Sequence, residues 1–389
     1  MRKVLTAALV AAGVGMGFAA HAAEPLKIGM MLTLSGPPAV LGKHIRDGFQ
    51  LFVDQQGGKL GGRDVEIIIA DDELKPDVAL TKVKGLLERD KVDFVAGVVF
   101  SNILQAVYRP VTESGTFLIG ANAGTSTFAG KGCSPYFFST SWQNDQIHAV
   151  MGKYAQDKGF KSAFLLTPNY QAGKDSVAGF KSQFKGKVVD EVYTKLGNLD
   201  FSAELAKIAA AKPDALFTFM PGGMGINLVK QFRQAGLDKS VTFLSAFTVD
   251  GTTLPATKDD AVGLYSASQW TPDLDNAANK AFVAAFEAKY GYVPSLYASQ
   301  GFDAAQLIDS GVKAVKGDLS DKKAVQAALE KADFASVRGA FKFNTNHFPI
   351  QDFYLVKAVK RADGKYATSM VEKVFANYGD TYASQCKMK

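Results

Sequence analysis

The sequence predicts an α/β fold built from parallel, doubly wound sheets, and three observations carry that reading. Short apolar runs rich in β-branched residues, such as 65–70, 93–99 and 241–244, alternate with stretches whose apolar residues fall at helical spacing. The alternation restarts after residue 141 with the same rhythm, as two similar lobes would produce. Small-residue loops follow the apolar runs at 120–126 and 221–225, where the carboxyl ends of parallel strands deliver a chain to a ligand.

Taken in order, residues 26–32 read as the first strand and 34–38 as a turn. A helix follows with Leu41, Ile45, Phe49, Phe52 and Val53 on one face. Residues 65–70 form the second strand, ending at Asp71 and Asp72. Pro76 or Asp77 starts a helix carrying Val78, Leu80, Val83, Leu86 and Leu87. The strand at 93–99 runs into a helix with Leu104, Val107, Tyr108 and Val111, and 117–119 is the next strand. Beyond residues 137–141 the helix marked by Ile147, Met151 and Tyr154 leads to strands at 162–167, 187–193, 215–220 and 241–244 with helices between them. A strand at 262–269 reaches a return linker at Trp270, Thr271 and Pro272. Helices at 276–290, 295–316 and 321–332 and strands at 341–343, 353–359 and 370–374 complete the chain.

The segment 93–126 carries the first functional signal. Ser101 opens a helix beside a loop, 120–126, that exposes backbone N–H groups. Unpaired amides and the helix dipole supply a positive end, so a small anion is held there without an arginine. The plainer reading is that Ser101 caps its helix and the glycines turn the chain. Residues alone leave the two readings open.

The N-terminus reads as an export leader. Met1, Arg2 and Lys3 form a basic start, 4–18 is apolar, and Ala20-His21-Ala22 is a cleavage site, so the chain is expected to be exported and to start at Ala23 or Glu24 when mature. The apolar run is too short to span a bilayer comfortably. The remainder exceeds what one core fills, which favours two domains. The formal charge of +6 includes Arg2 and Lys3, so loss of the leader leaves +4. Basic residues are interspersed with acidic ones and no basic cluster alternates with aromatics, so nucleic acid is not an expected partner. Cys133 and Cys386 are the only cysteines, and in an oxidising compartment such a pair is more often a disulfide than two free thiols.

Catalysis finds no support. Nucleophile-elbow, zincin and phosphate-loop motifs are absent, and no cofactor or clustered metal ligands are expected. His44, His148 and His347 are isolated and read as surface or capping residues.

The chain resembles the type I periplasmic solute-binding proteins of ABC importers, in particular the leucine/isoleucine/valine-binding family. The resemblance spans the whole mature chain. It is carried by Ile28-Gly29 through Ser35-Gly36-Pro37, Asp71-Asp72, Gly97 to Ser101, Tyr170 to Gly173, and the run from Tyr297 to Ala304. It implies two Rossmann-like lobes joined by three crossovers: 24–141 with 272–347, and 142–271 with 348–389, after a leader at 1–22. It further implies a monomeric receptor that closes on one ligand and hands it to membrane permease subunits.

Residue by residue, the family's ligand-carboxylate serine falls on Ser101, with Asn102 beside it. Its small-residue loop falls on Asn122, Ala123 and Gly124, and its second-lobe tyrosine on Tyr170. Two positions depart: the family's first-helix tyrosine is Leu41, and its ammonium-pairing glutamate is Phe247 unless a one-turn shift restores Asp250. A buried ammonium without an anion costs several kcal/mol, about the cost of breaking a buried ion pair. The implied ligand therefore keeps a carboxylate and exchanges its amine for an apolar body, as in a benzoate or cinnamate. Phe100, Phe247, Trp270 and Tyr297 are the expected stacking walls. A branched-chain amino acid is the alternative ligand, and a ligand-sensing regulatory module the alternative role.

Overall fold

The computed structural model describes residues 24–388; the leader read at 1–22 lies outside them. The first sheet contains β1 (Leu26–Leu32), β2 (Lys59–Leu60), β3 (Arg63–Asp71), β4 (Phe94–Gly97), β5 (Phe117–Gly120) and β6 (Phe137–Ser139). Their spatial order is β2-β3-β1-β4-β5-β6. All pairings are parallel except the short β2–β3 hairpin, which the sequence reading did not include. The helices α1 (Ala39–Gln55), α2 (Pro76–Glu88) and α3 (Ser101–Glu113) connect the strands. Register aligns Met31 with Gly97 and Gly97 with Gly120, so β1, β4 and β5 end level at one edge.

The second half opens with α4 (Asn144–Asp157) and continues through β7 (Ser162–Pro168), α5 (Gln171–Gln183), β8 (Lys187–Thr194), α6 (Ser202–Ala211), β9 (Ala215–Thr218), α7 (Gly223–Gln234), β10 (Thr242–Ala246), a short α8 (Leu254–Thr257) and β11 (Tyr265–Ser268). Strands β8, β7, β9, β10 and β11 lie side by side in that order and pair in parallel. The strand expected at 262–269 is shorter because the chain turns first, the Leu264 N–H donating to the Ala261 carbonyl at 3.0 Å.

After β11 the chain returns to the first half. The helices α9 (Ala277–Tyr290), α10 (Leu296–Ala314) and α11 (Lys322–Glu330) follow, and α10 packs on α1. Two glycines permit that contact: a Cβ on Gly48 would stand 2.0 Å from the Ala298 carbonyl oxygen, and one on Gly301 2.1 Å from that of Ile45. The chain then crosses again to β12 (Lys342–Phe343), β13 (Pro349–Lys360) and β14 (Tyr366–Tyr378), an antiparallel extension of the second sheet. Two α/β halves joined by three crossings are thus the architecture.

The crossings are tied by a buried ion pair. Arg338 donates to Asp303 from Nε and Nη2 at 3.1 and 3.0 Å, with both side chains at most 1% exposed. Its Nη1 reaches the Ser141 carbonyl at 3.1 Å and Gln351 Oε1 at 2.7 Å, and Gln351 Nε2 donates to the same carbonyl at 2.6 Å. The first and third crossings therefore share one hydrogen-bonded centre. Cys133 and Cys386 form a disulfide with Cα atoms 5.7 Å apart, which ties the C-terminal tail to the loop between β5 and β6. Among the described residues no helix is long and apolar enough to cross a membrane.

The histidines correct the sequence reading, since all three are buried rather than superficial. His44 Nδ1 lies 2.8 Å from Ser295 Oγ, and His347 Nδ1 lies 3.0 Å from the Phe137 carbonyl oxygen. Each therefore sits inside with a polar partner; His148 is different.

Candidate functional site

The carboxyl edges of the two sheets face each other across a narrow cavity with about 20 Å³ of free space. Strand order explains the place. In the first sheet β1 lies between β3 and β4, so chains leaving β1 and β4 depart to opposite faces and open a crevice. In the second sheet β7, between β8 and β9, does the same. The first sheet contributes Leu41 of α1, Val99, Phe100 and Ser101 after β4, and Asn122 and Ala123 after β5. The second contributes Tyr170 and Ala172 after β7, Phe219 and Pro221 after β9, and Phe247 after β10. Trp142, Asn144 and His148 come from the first crossing and α4, and Tyr297 from α10.

At one end stands the start of α3. Its N-cap position is Phe100, and no side chain caps it. The reading of Ser101 as a helix cap is thus set aside. Ser101 is buried, and its Oγ accepts a hydrogen bond from Asn144 Nδ2 at 3.2 Å, leaving its own hydrogen for an acceptor in the cavity. The second hydrogen on that nitrogen goes to Asp175 Oδ2 at 2.9 Å. Asn144 is fixed further by the Gly124 N–H on its Oδ1 at 3.2 Å and by its own N–H on the Gly124 carbonyl at 2.7 Å. Asn122 Nδ2 donates to the Val99 carbonyl, whereas its buried Oδ1 has no partner. This end offers amides and a hydroxyl, the chemistry of an oxyanion site.

The rest of the wall is aromatic. Phe100, Trp142, Tyr170, Phe219, Phe247 and Tyr297 all line the cavity. Tyr170 stacks near-parallel to Phe219 at 6.1 Å, and Phe247 meets Trp142 at 4.6 Å. Phe247 adopts φ +57°, an unfavourable backbone for a bulky residue that turns the chain after β10 at the cavity. No Asp, Glu, Lys or Arg lines it. Burial raises the tyrosine hydroxyls of Tyr170 and Tyr297 far above their usual range, so both remain neutral donors.

Of the residues singled out from the sequence, Leu41, Phe100, Ser101, Asn122, Ala123, Tyr170, Phe247 and Tyr297 come together here. Three do not reach the cavity. Trp270 is buried elsewhere, its Nε1 donating to Asn279 Oδ1 at 2.7 Å and its ring edge-on to Phe282. Asn102 is half-buried on α3 outside the lining. Gly124 supports the lining from behind, where a Cβ would stand 2.0 Å from the Trp142 carbonyl oxygen. Asp250 is also outside: Thr252 N–H and Oγ1 donate to its Oδ1 at 2.7 and 2.6 Å, and burial raises its pKa. Sequence reasoning missed Trp142, Asn144, His148 and Phe219. Asn144 and His148 are four residues apart, a spacing that puts them on one face of α4.

Comparison with known proteins gives a consistent picture. The model of the family described as periplasmic binding protein matches residues 25–365. A Leu/Ile/Val-binding protein homolog 6 of Brucella melitensis biotype 1 is 27% identical over 390 aligned positions, covering 98% of each chain. The solute-binding protein of an ABC transporter from R. palustris, solved in complex with benzoate, superposes with a TM-score of 0.89 at 37% identity, over 94% of this chain and 100% of that one. A second, from Rhodopseudomonas palustris BisB5 in complex with 3,4-dihydroxybenzoic acid, gives 0.86 at 30% identity, over 92% and 99%.

Proposed function

The chain belongs to the periplasmic binding protein family, as a solute-binding protein of an ABC transporter and not an enzyme, and from that premise we propose that its ligand is a small aromatic carboxylate. The observation that carries the proposal is the composition of the cavity wall: six aromatic rings around one uncapped helix start, with no charged side chain. A carboxylate seated against Ser101 and the first amides of α3 meets the positive end of the helix dipole and a free hydroxyl hydrogen. The ring then lies among Phe100, Tyr170, Phe219 and Phe247, where offset and edge-on contacts favour an aromatic body.

The absence of an acid from the wall weighs against an amino acid. An ammonium buried there would meet Phe247, and Asp250 lies behind the wall with its charge disfavoured by burial. The benzoate-bound relatives support the same choice, whereas the Leu/Ile/Val-binding homologues keep a branched-chain amino acid as the competing ligand.

Residues 24–141 with 272–347 act as one lobe, and 142–271 with 348–389 as the other. The protein works in the periplasm as a monomer and delivers its ligand to membrane permease subunits by opening at the three crossings. A thermal-shift panel tests the ligand class. A ligand at a hundred times its Kd adds about 2.7 kcal/mol of stability. Benzoate, 4-hydroxybenzoate and coumarate are expected to raise Tm and leucine to leave it unchanged; the reverse pattern overturns the aromatic ligand.

A further inference from the structure

His148 brings to the aromatic part of the cavity a fully buried nitrogen that has nothing to bind. It is 1% exposed, and its Nδ1 is buried without a hydrogen-bond partner. The other two buried histidines have theirs. Around it stand Phe217, Phe219 and Phe247, all edge-on to the imidazole with centroids 5.8, 5.1 and 5.7 Å away. Enclosure by three phenyl rings gives packing and no hydrogen bond. A buried polar atom left unpaired is unfavourable and calls for a partner.

Position makes the partner specific. Asn144 donates to Ser101 Oγ, so its side chain marks the carboxylate end. His148 lies four residues further along α4, on the same face and about 6 Å along the axis, deeper toward the second sheet. Both residues line the cavity. A ring whose carboxylate is held at Ser101 therefore points its far edge toward His148.

We propose that His148 is a specificity-determining residue that hydrogen-bonds a hydroxyl on the ring edge opposite the carboxylate, so that the preferred ligands are meta- or para-hydroxylated benzoates. The inference rests on the aromatic-carboxylate reading above and goes beyond it by naming the substituent and the residue that selects it. Burial lowers the pKa of His148 to about 3, so the ring is neutral in use and presents one donor and one acceptor nitrogen. A phenol pairs with the acceptor nitrogen. A ligand without the hydroxyl fills the space and leaves the imidazole unpaired, the situation in which polar sites discriminate most strongly.

The test is calorimetric titration of the full mature chain with benzoate, 4-methylbenzoate, 3-hydroxybenzoate and 4-hydroxybenzoate. For the native protein, at least one of the two hydroxybenzoates is expected to bind ~10-fold or more tightly than benzoate and 4-methylbenzoate, the latter matching shape without the hydrogen bond. In His148→Phe that ratio is expected to fall to ~2-fold or less, whatever the absolute affinities become. Equal binding of all four ligands to the native protein overturns the role of His148 while leaving the aromatic-carboxylate reading intact. A hydroxyl preference that persists in His148→Phe does the same. No binding of any of the four overturns both. If His148→Phe does not fold, equal native affinities still overturn the role of His148, and His148→Ala supplies the variant ratio in its place.

Discussion

Asp175, on α5 beside the second sheet, holds Ser126, on the turn that follows β5 of the first. The Ser126 N–H donates to Asp175 Oδ2 at 3.1 Å and its Oγ to Oδ1 at 2.7 Å. Asp175 also accepts Asn144 Nδ2 at 2.9 Å and Gln171 Nε2 at 2.8 Å. One carboxylate thus ties the two halves beside the cavity and fixes the asparagine that engages Ser101. Replacement by asparagine presents an N–H to some of these donors and loses the charge. Asp175→Asn is expected to weaken ligand binding ~10-fold or more, since hydrogen bonds to a charged group contribute about 1.5–3 kcal/mol each. Titration calorimetry checks the affinity, and small-angle scattering with ligand present is expected to report a more open variant.

Ser101→Ala removes the hydroxyl from the carboxylate end and leaves the helix amides in place. Affinity for an aromatic acid is expected to fall ~10–100-fold, with little change in the Tm of the free protein because Asn144 keeps Asp175 and Gly124 as partners. Unchanged affinity would remove Ser101 from the site.

Arg338 and Asp303 form the buried centre that joins two crossings. Arg338→Ala leaves Asp303 as an uncompensated buried charge, and the cost is expected at about 3–5 kcal/mol. Denaturant unfolding measures it. Arg338→Met, which fills the space without a charge, leaves Asp303 equally unpaired and is expected to rescue little.

Asp145 gives a pH signature. Burial raises its pKa to about 6, opposed by a hydrogen bond from Tyr382 and aided by the nearby Asp175. The folded state therefore holds a proton that the unfolded state releases nearer pH ~4. Stability from this group is complete below that value and is lost as pH rises through about 6. The loss is ~1–3 kcal/mol. Asp145→Asn is expected to flatten the fall in Tm between pH 4 and pH ~7 relative to the native protein. A parallel profile in both would contradict the assignment.

The Cys133–Cys386 bridge closes a loop across a sequence separation of 253 and anchors a tail that also places Tyr382 Oη 2.6 Å from Asp145 Oδ2. Reduction, or Cys386→Ser, is expected to cost about 2–4 kcal/mol, read as a lower Tm in the presence of a thiol reductant.

The alternation of strands and helices was legible because the central strands, such as β4, β5 and β9, are buried on both faces and helices such as α3 show one apolar stripe. The period change at 93–111, for example, states both. Ser101 and Ala123 were legible because they follow strands directly, and in a parallel sheet every strand end lies at the ligand edge. His148 and Asn144 were not. On α4 they look like polar residues of an amphipathic helix, and only the first crossing turns that face inward. Trp270 misled because a large aromatic beside a crossing has two fates. Here Asn279, in the first turn of the next helix, takes its indole N–H. Asp175 carried no local signal at all, since its partner Ser126 is 49 residues away.

The most direct measurement is calorimetric titration with 3-phenylpropanoate and L-phenylalanine, which share ring, chain and carboxylate and differ in the ammonium alone. A cavity with six aromatic rings and no acid in its wall is expected to bind the acid ~100-fold or more tightly than the amino acid. Equal or tighter binding of L-phenylalanine would contradict it.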